Sequence, residues 1–394
     1  MVLICNENNC DLRVVAVEIK IDEMKSDLNV VVLFARNDHS AAVLADAYGR
    51  LGHGNTLNQL RPKTVDGITD AVSVSCGYER CLALRSNGQV LAFGLNSDGR
   101  LGDGTTTSRN SPVDVVDLSD VIAISTGTWQ SLALRSDGRV LSWGYQISGR
   151  LGRTPTTDSP STRPGLVPDL INVVTVSAEF HHNLAVRSDG SVAAWGAGGN
   201  GRLGNGGTSD HQSIQECGSF SSTVNVSAGG LHSLILLEGG DLWSTGGNSN
   251  GQLGLGDTTQ RTSPVHIDGF KFAAAVAAGG GSSIGILTNG NVVVWGRNNM
   301  SQLGEGTTAP RTSPLVLGQL SGVYGVSISY HALVACNNGT VFGWGNNNLG
   351  QIGDGSTVIR RTPLEITDLA GEIFVPFFML KESSKKAKRF VSTL

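Results

Sequence analysis

One short phrase, Gly-x-Leu-Gly, recurs seven times and constrains the fold more than any other feature of this chain. The copies begin at Gly49, Gly99, Gly149, Gly201, Gly251, Ser301 and Gly350, so successive copies lie 50, 50, 52, 50, 50 and 49 residues apart. That period is too long for a helical hairpin repeat and suits a unit of several short strands. A unit of this size cannot bury a core alone, so neighbouring units must stack to make one. Glycine supplies 53 of the 394 residues, about double ordinary usage, and it is placed periodically. It therefore marks turns and not low complexity.

The unit at 118–167 shows how each copy folds. Val121-Ile122-Ala123-Ile124, Ser131-Leu132-Ala133-Leu134 and Val140-Leu141-Ser142-Trp143 read as three strands, and a fourth follows the Pro-containing stretch. Between the second and third strands stand Asn87-Gly88, Asp137-Gly138, Asp189-Gly190, Gly239-Gly240, Asn289-Gly290 and Asn338-Gly339, pairs suited to two-residue hairpins of the primed type. The third strand ends in Phe93-Gly94, Trp143-Gly144, Trp195-Gly196, Trp295-Gly296 or Trp344-Gly345. These rings are expected to wedge between neighbouring units. In the fifth copy Thr245-Gly246 stands there and Trp243 is displaced by two, which keeps it on the same sheet face. Arg109/Pro112, Arg261/Pro264, Arg311/Pro314 and Arg360/Pro363 follow the phrase, the arginines to bridge units or cap loops and the prolines to sit on edge strands.

Four strands per unit and seven units predict an all-β, seven-bladed β-propeller with about four antiparallel strands per blade. The first copy is degenerate, with Val43-Leu44 in place of aromatic-Gly and Asn37-Asp38 in place of Asn-Gly. We expect residues 1–29 to be a strand of the first blade or an arm, 30–370 the propeller, and 371–394 an apolar then basic tail. Ile373–Phe378 is expected to add a strand that closes the ring, the alternative being a peptide docked in another subunit.

HSLILLEGGDLWSTGGNSNGQLGLGDTTQRTSPV, with SLALRSDGRVLSWG before it, resembles the regulator-of-chromosome-condensation repeat family. The DGTTTxRxxP wording is similar to bacterial or phage members. The resemblance implies a seven-bladed propeller that holds partner proteins. Among its members are a guanine-nucleotide exchange factor, a plant UV-B receptor and an inhibitor of β-lactamases. Fold does not choose among them. The receptor's stacked tryptophans are missing at Gly77–Cys81, Gly127–Ser131 and Glu179–Asn183, so light sensing is not expected. Uniform copies leave no room for an exchange-factor insertion.

Net charge is −4, against broad nucleic-acid binding, which needs a basic face. Cys5, Cys10, Cys76, Cys81, Cys217 and Cys336 form no Cys-x-x-Cys pair and read as free thiols in a reducing compartment. No signal peptide or membrane span is expected, and the setting reads as cytoplasmic, or nuclear through Lys385-Lys386-Ala387-Lys388-Arg389. His182, His232 and His331 share one repeat position and read as structural, not as a metal site. No catalytic residue, metal or cofactor is assigned. The turn between the first and second strands varies between copies, and there Tyr78, Glu79, Arg80, Trp129, Gln130, Phe180, His181 and Tyr330 are the expected partner-binding residues. The expectation is a non-enzymatic interaction propeller, a scaffold or structural subunit. The alternatives are an exchange factor for a small GTPase and, behind it, a hydrolase or lyase with an axial site.

Overall fold

Hairpin chemistry builds each unit, and the computed structural model places all of them. It describes residues 48–367 apart from 64, 155–160 and 269–270, together with short strands within 4–44 and at Ile373–Phe374. Asn37-Asp38, most of 1–29, and the tail including Lys385–Arg389 lie outside the described residues. Blade one has strands Ala71–Gly77, Arg80–Arg85, Val90–Gly94 and Arg109–Asp114. Blades two to six repeat that antiparallel order over 121–166, 173–216, 223–266, 273–317 and 323–365.

The described residues therefore form six four-stranded blades, which corrects the expected seven. Counting phrases counts loops, and the Gly49 loop belongs to no four-stranded sheet. In the degenerate first copy the strands shrink to Ala35–Arg36, His39–Ser40 and Val43–Leu44, a three-stranded sheet of two-residue pieces. The first of these strands lies against blade six, and residues 48–63 complete the seam to blade one. The Gly54 amide donates to Asn110 O (2.7 Å), and the Gly355 amide to Leu60 O (2.9 Å). The same bond links neighbouring blades at Gly104–Thr162, Gly206–Thr262, Gly256–Thr312 and Gly306–Arg361. Val30–Val31 pairs in parallel with Ile373–Phe374.

First strands of neighbouring blades touch one another, so they line the axis. Second and third strands are buried on both faces, for example Val90–Gly94 and Val192–Gly196, because blades stack face to face. Fourth strands are half exposed and carry the prolines, beside register shifts such as that between Arg109 and Val113. Trp143, Trp195, Trp295 and Trp344 are fully buried. Each indole N–H donates to a loop carbonyl of the preceding unit: Arg100 O, Arg150 O, Gln252 O and Gln302 O, at 2.8–3.2 Å. Thr245 Oγ1 replaces the indole by donating to Gly201 O, while Trp243 packs outward on Phe220 and His266.

An asparagine just after the third strand shapes the phrase loop. Asn96, Asn248, Asn298 and Asn347 accept the amide of Leu101, Leu253, Leu303 and Ile352 and donate to the acid that follows. Arg109, Arg261, Arg311 and Arg360 pair with that same acid at 2.5–2.8 Å, so they cap their own loops. The hairpins differ from expectation. Gly88, Gly138, Gly190, Gly290 and Gly339 have positive φ and the residue before each does not, so these are turns closed by a glycine bulge. The glycine amide closes each turn on the carbonyl three residues back, and the preceding Asn or Asp, the second central residue, accepts the amide two residues on.

Cys76 and Cys81 sit opposite each other across the first hairpin of blade one and form a disulfide. This corrects the all-free-thiol expectation. Cys217 and Cys336 are free and buried. No helix among the described residues is long and apolar enough to cross a membrane.

Candidate functional site

In an antiparallel sheet the connection from strand one to two and that from three to four emerge at the same end. Both therefore meet on one propeller face, here called the turn face. The turns carry the residues that differ between copies, and the phrase loops lie beside them.

The second strand opens at Arg80, Gln130, His182, His232, Ser282 and His331. All six are fully buried, so Arg80 and Gln130 are corrected from surface residues to inter-blade ties. Arg80 donates to Thr128 O (2.9 Å), Gln130 O and Ser131 Oγ of blade two. Gln130 reaches Asn183 of blade three at 3.3 Å, His182 Nε2 meets Ser233 Oγ at 2.9 Å, and His232 Nε2 meets Ser283 Oγ at 2.9 Å. Burial lowers the pKa of His232 and His331 to about 3 and that of His182 well below the usual value, so each is neutral. Among the described residues no carboxylate bonds the far nitrogen of His182 or His232, and these His–Ser contacts hold blades together.

Tyr78, Glu79, Trp129, Phe180, His181 and Tyr330 are half-buried on the turn face. Trp129, Phe180 and His181 come together. Trp129 stacks on His181 across the blade boundary (5.0 Å, 28°), Phe180 meets His181 edge-on at 5.8 Å, and Tyr145 meets Trp129 edge-on at 6.2 Å. Tyr330 lies apart, with the Arg297 guanidinium 5.3 Å from its ring centre. Tyr78 and Glu79 stand on blade one, where Arg50 meets Glu79 at 3.5 Å. Glu79 (φ 65°) and Phe180 (φ 32°) adopt left-handed backbone that such residues rarely take, a strain that clusters at working sites.

Sequence reasoning missed the layer beneath. The second phrase position holds Arg50, Arg100, Arg150 and Arg202, then Gln252, Gln302 and Gln351. The four arginines are 5, 2, 1 and 6% exposed. The Arg150 guanidinium lies 4.9 Å from the Trp129 ring centre, a cation–π contact. Desolvation lowers the pKa of Arg100 and Arg150 to about 10, and desolvation with Arg150 and Arg202 lowers that of His181 to about 4. The switch from Arg to Gln along one position was the available signal. Among the described residues no group of three or more His, Cys, Asp and Glu is placed to hold a metal ion.

The fold matches known proteins over most of the chain. Human WBSCR16 superposes with a TM-score of 0.75 at 24% identity, covering 83% of this chain and 93% of that one. Prp20p from Saccharomyces cerevisiae, whose binding properties to Gsp1p and histones are known, superposes with a TM-score of 0.73 at 22% identity, covering 84% and 87%. Yeast RCC1 (Prp20) bound to Kap60 gives 0.73 at 20% identity, covering 84% of each chain. These likenesses establish the fold. Residues 45–375 match the RCC1-like domain, which takes in all six blades and the seam, and the chain belongs to that family.

Proposed function

We propose that this protein is a non-enzymatic interaction propeller, a scaffold or structural subunit, whose working surface is the turn face around Trp129. The observation that carries this reading is the packing of Trp129. Its ring is half-buried, stacked on His181 and seated on Arg150, with Phe180 beside it. A rigid aromatic on a charged support, next to strained turns, has the composition of a binding hot spot. The His–Ser pairs are sealed between blades, where they serve as ties. Tyr78, Glu79 and Tyr330 extend the surface toward the seam.

Affinity capture with the intact protein and with Trp129→Ala tests this. The variant should lose its partner by about 2 kcal/mol or more, roughly thirtyfold, with its melting temperature nearly unchanged. Equal capture by both forms, or a large loss of melting temperature, returns Trp129 to packing. Prp20p has been characterised for its binding to Gsp1p. A small GTPase among the captured partners, releasing nucleotide faster with this protein present, would replace the scaffold reading by the exchange-factor reading.

A further inference from the structure

The second phrase position does two jobs, and only one needs a particular side chain. Its carbonyl is fixed by the next blade. Ser131 Oγ donates to Arg100 O, Asn183 Nδ2 to Arg150 O, Ser233 Oγ to Arg202 O and Ser283 Oγ to Gln252 O, at 2.7–3.0 Å. Its side chain then ties the loop. The glutamines accept the amides of Asn250, Met300 and Leu349 at 2.8–2.9 Å. Arg150 and Arg202 donate through Nε to Ile147 O and Gly199 O at 2.9 and 2.8 Å. Neutral glutamine therefore suffices for folding, yet four consecutive copies bury a guanidinium, which costs far more to desolvate.

That charge is poorly compensated. Arg50 faces Glu79 and Arg100 pairs with Asp98. Arg150 and Arg202 make no ion pair among the described residues, and Asp210 acts on both only at longer range. Among the described residues Arg50 Nε, Arg100 Nε and Arg150 Nη1 are buried without a hydrogen-bond partner. The Trp129 ring lies over Arg150. A low-dielectric layer screens a buried charge weakly, so the positive potential reaches the surface around Trp129 and His181. Across the face, over Gln252, Gln302 and Gln351, the same layer is neutral.

We propose that the half of the turn face over Arg100, Arg150 and Arg202 docks an acidic protein segment, with an apolar side chain against Trp129 and Phe180 and carboxylates over the arginine row. The proposal rests on the turn face being the binding surface. It names the partner's chemistry by charge and by the stacking rings. A net charge of −4 argues against broad nucleic-acid binding, and the oligonucleotide arm of the test below decides that alternative.

The test is fluorescence anisotropy with the full chain and a labelled peptide, Glu-Glu-Leu-Glu-Glu-Phe-Glu-Glu. Its glutamine-for-glutamate counterpart and a short oligo-dT serve as competing probes. The acidic peptide should bind, weaken with added salt, and lose about tenfold or more with the Arg150→Gln/Arg202→Gln pair. Melting should hold, because glutamine already serves this position. Gln252→Arg, which lengthens the row, should tighten binding severalfold. Absence of peptide binding, equal binding of the neutral peptide, tighter binding of oligo-dT, or indifference to the arginine pair overturns the proposal. If the pair variant unfolds, Gln252→Arg decides, and no gain overturns it. Capture that depends on Trp129 while the acidic peptide fails defeats the acidic specificity alone. Capture indifferent to Trp129 defeats the surface reading beneath it.

Discussion

Replacing Trp195 by alanine tests whether wedged indoles hold the blades together. The ring is wholly buried in a cluster that joins Leu132, Leu134 and Val140 of blade two to Ala185 and Ala193 of blade three. Truncating a buried Trp costs about 3–5 kcal/mol, from lost transfer energy and the cavity left behind. The lost hydrogen bond adds little, because Asn183 Nδ2 still donates to Arg150 O at 2.9 Å. We take about 4 kcal/mol. With an unfolding entropy of about 2.1 cal/mol/K per residue over roughly 310 residues, that lowers the melting temperature by about 6 °C. Trp195→Phe keeps most of the buried area and should cost about 2 °C. Differential scanning calorimetry reads both, with Trp129→Ala as the control expected within about 1 °C. A fall of under about 2 °C for Trp195→Ala, or an equal fall for the control, would refute the wedge argument.

Other expectations follow from single contacts. A Cβ on Gly279 would stand 1.8 Å from Ile328 O of the next blade, so Gly279→Ala should cost about 3 kcal/mol in urea unfolding, and a neutral result would mean the blades can part locally. His232 and His331 stay neutral in the fold to about pH 3, whereas the unfolded chain protonates near 6.5. Their contribution is thus constant above about pH 6.5 and falls below it by about 1.4 kcal/mol per unit per histidine, so these two alone remove about 4 kcal/mol by pH 5, and His182 acts in the same direction. His232→Gln should flatten that slope in urea midpoints taken between pH 7 and 5, and an unchanged slope would count against buried neutral histidine. Reducing Cys76–Cys81, five residues apart, should cost about 2 kcal/mol, since a short loop removes little unfolded-state entropy; thiol titration beside thermal melting checks this.

The strands, the wedge tryptophans and the structural histidines were legible because each repeats at one position and one burial pattern repeats with it. Val121, Ser131 and Val140 all open or enter strands where their apolar runs begin. The blade number was not legible, because Gly-x-Leu-Gly marks a loop that survives where the sheet behind it does not. Arg80 and Gln130 were misplaced for a related reason. They are the counterparts of His182 and His232, but unlike residue types hid the shared position. The arginine layer escaped notice because its backbone role is uniform, so attention fell on Gly and Leu and not on the variable residue between them.

The seam gives the ring an adjustable joint. Five junctions pair one sheet with the next and are fixed by interlocking side chains. At the sixth, Ala35–Arg36 of the short three-stranded sheet lies against blade six, and residues 48–63 bond to blade one through Gly54 and to blade six through Leu60. Lengthening or shortening residues 48–63 is expected to change the splay between blades six and one. Tyr330 stands on one bank of that gap and Tyr78 on the other, so the curvature of the face they share is set by a spacer that belongs to neither.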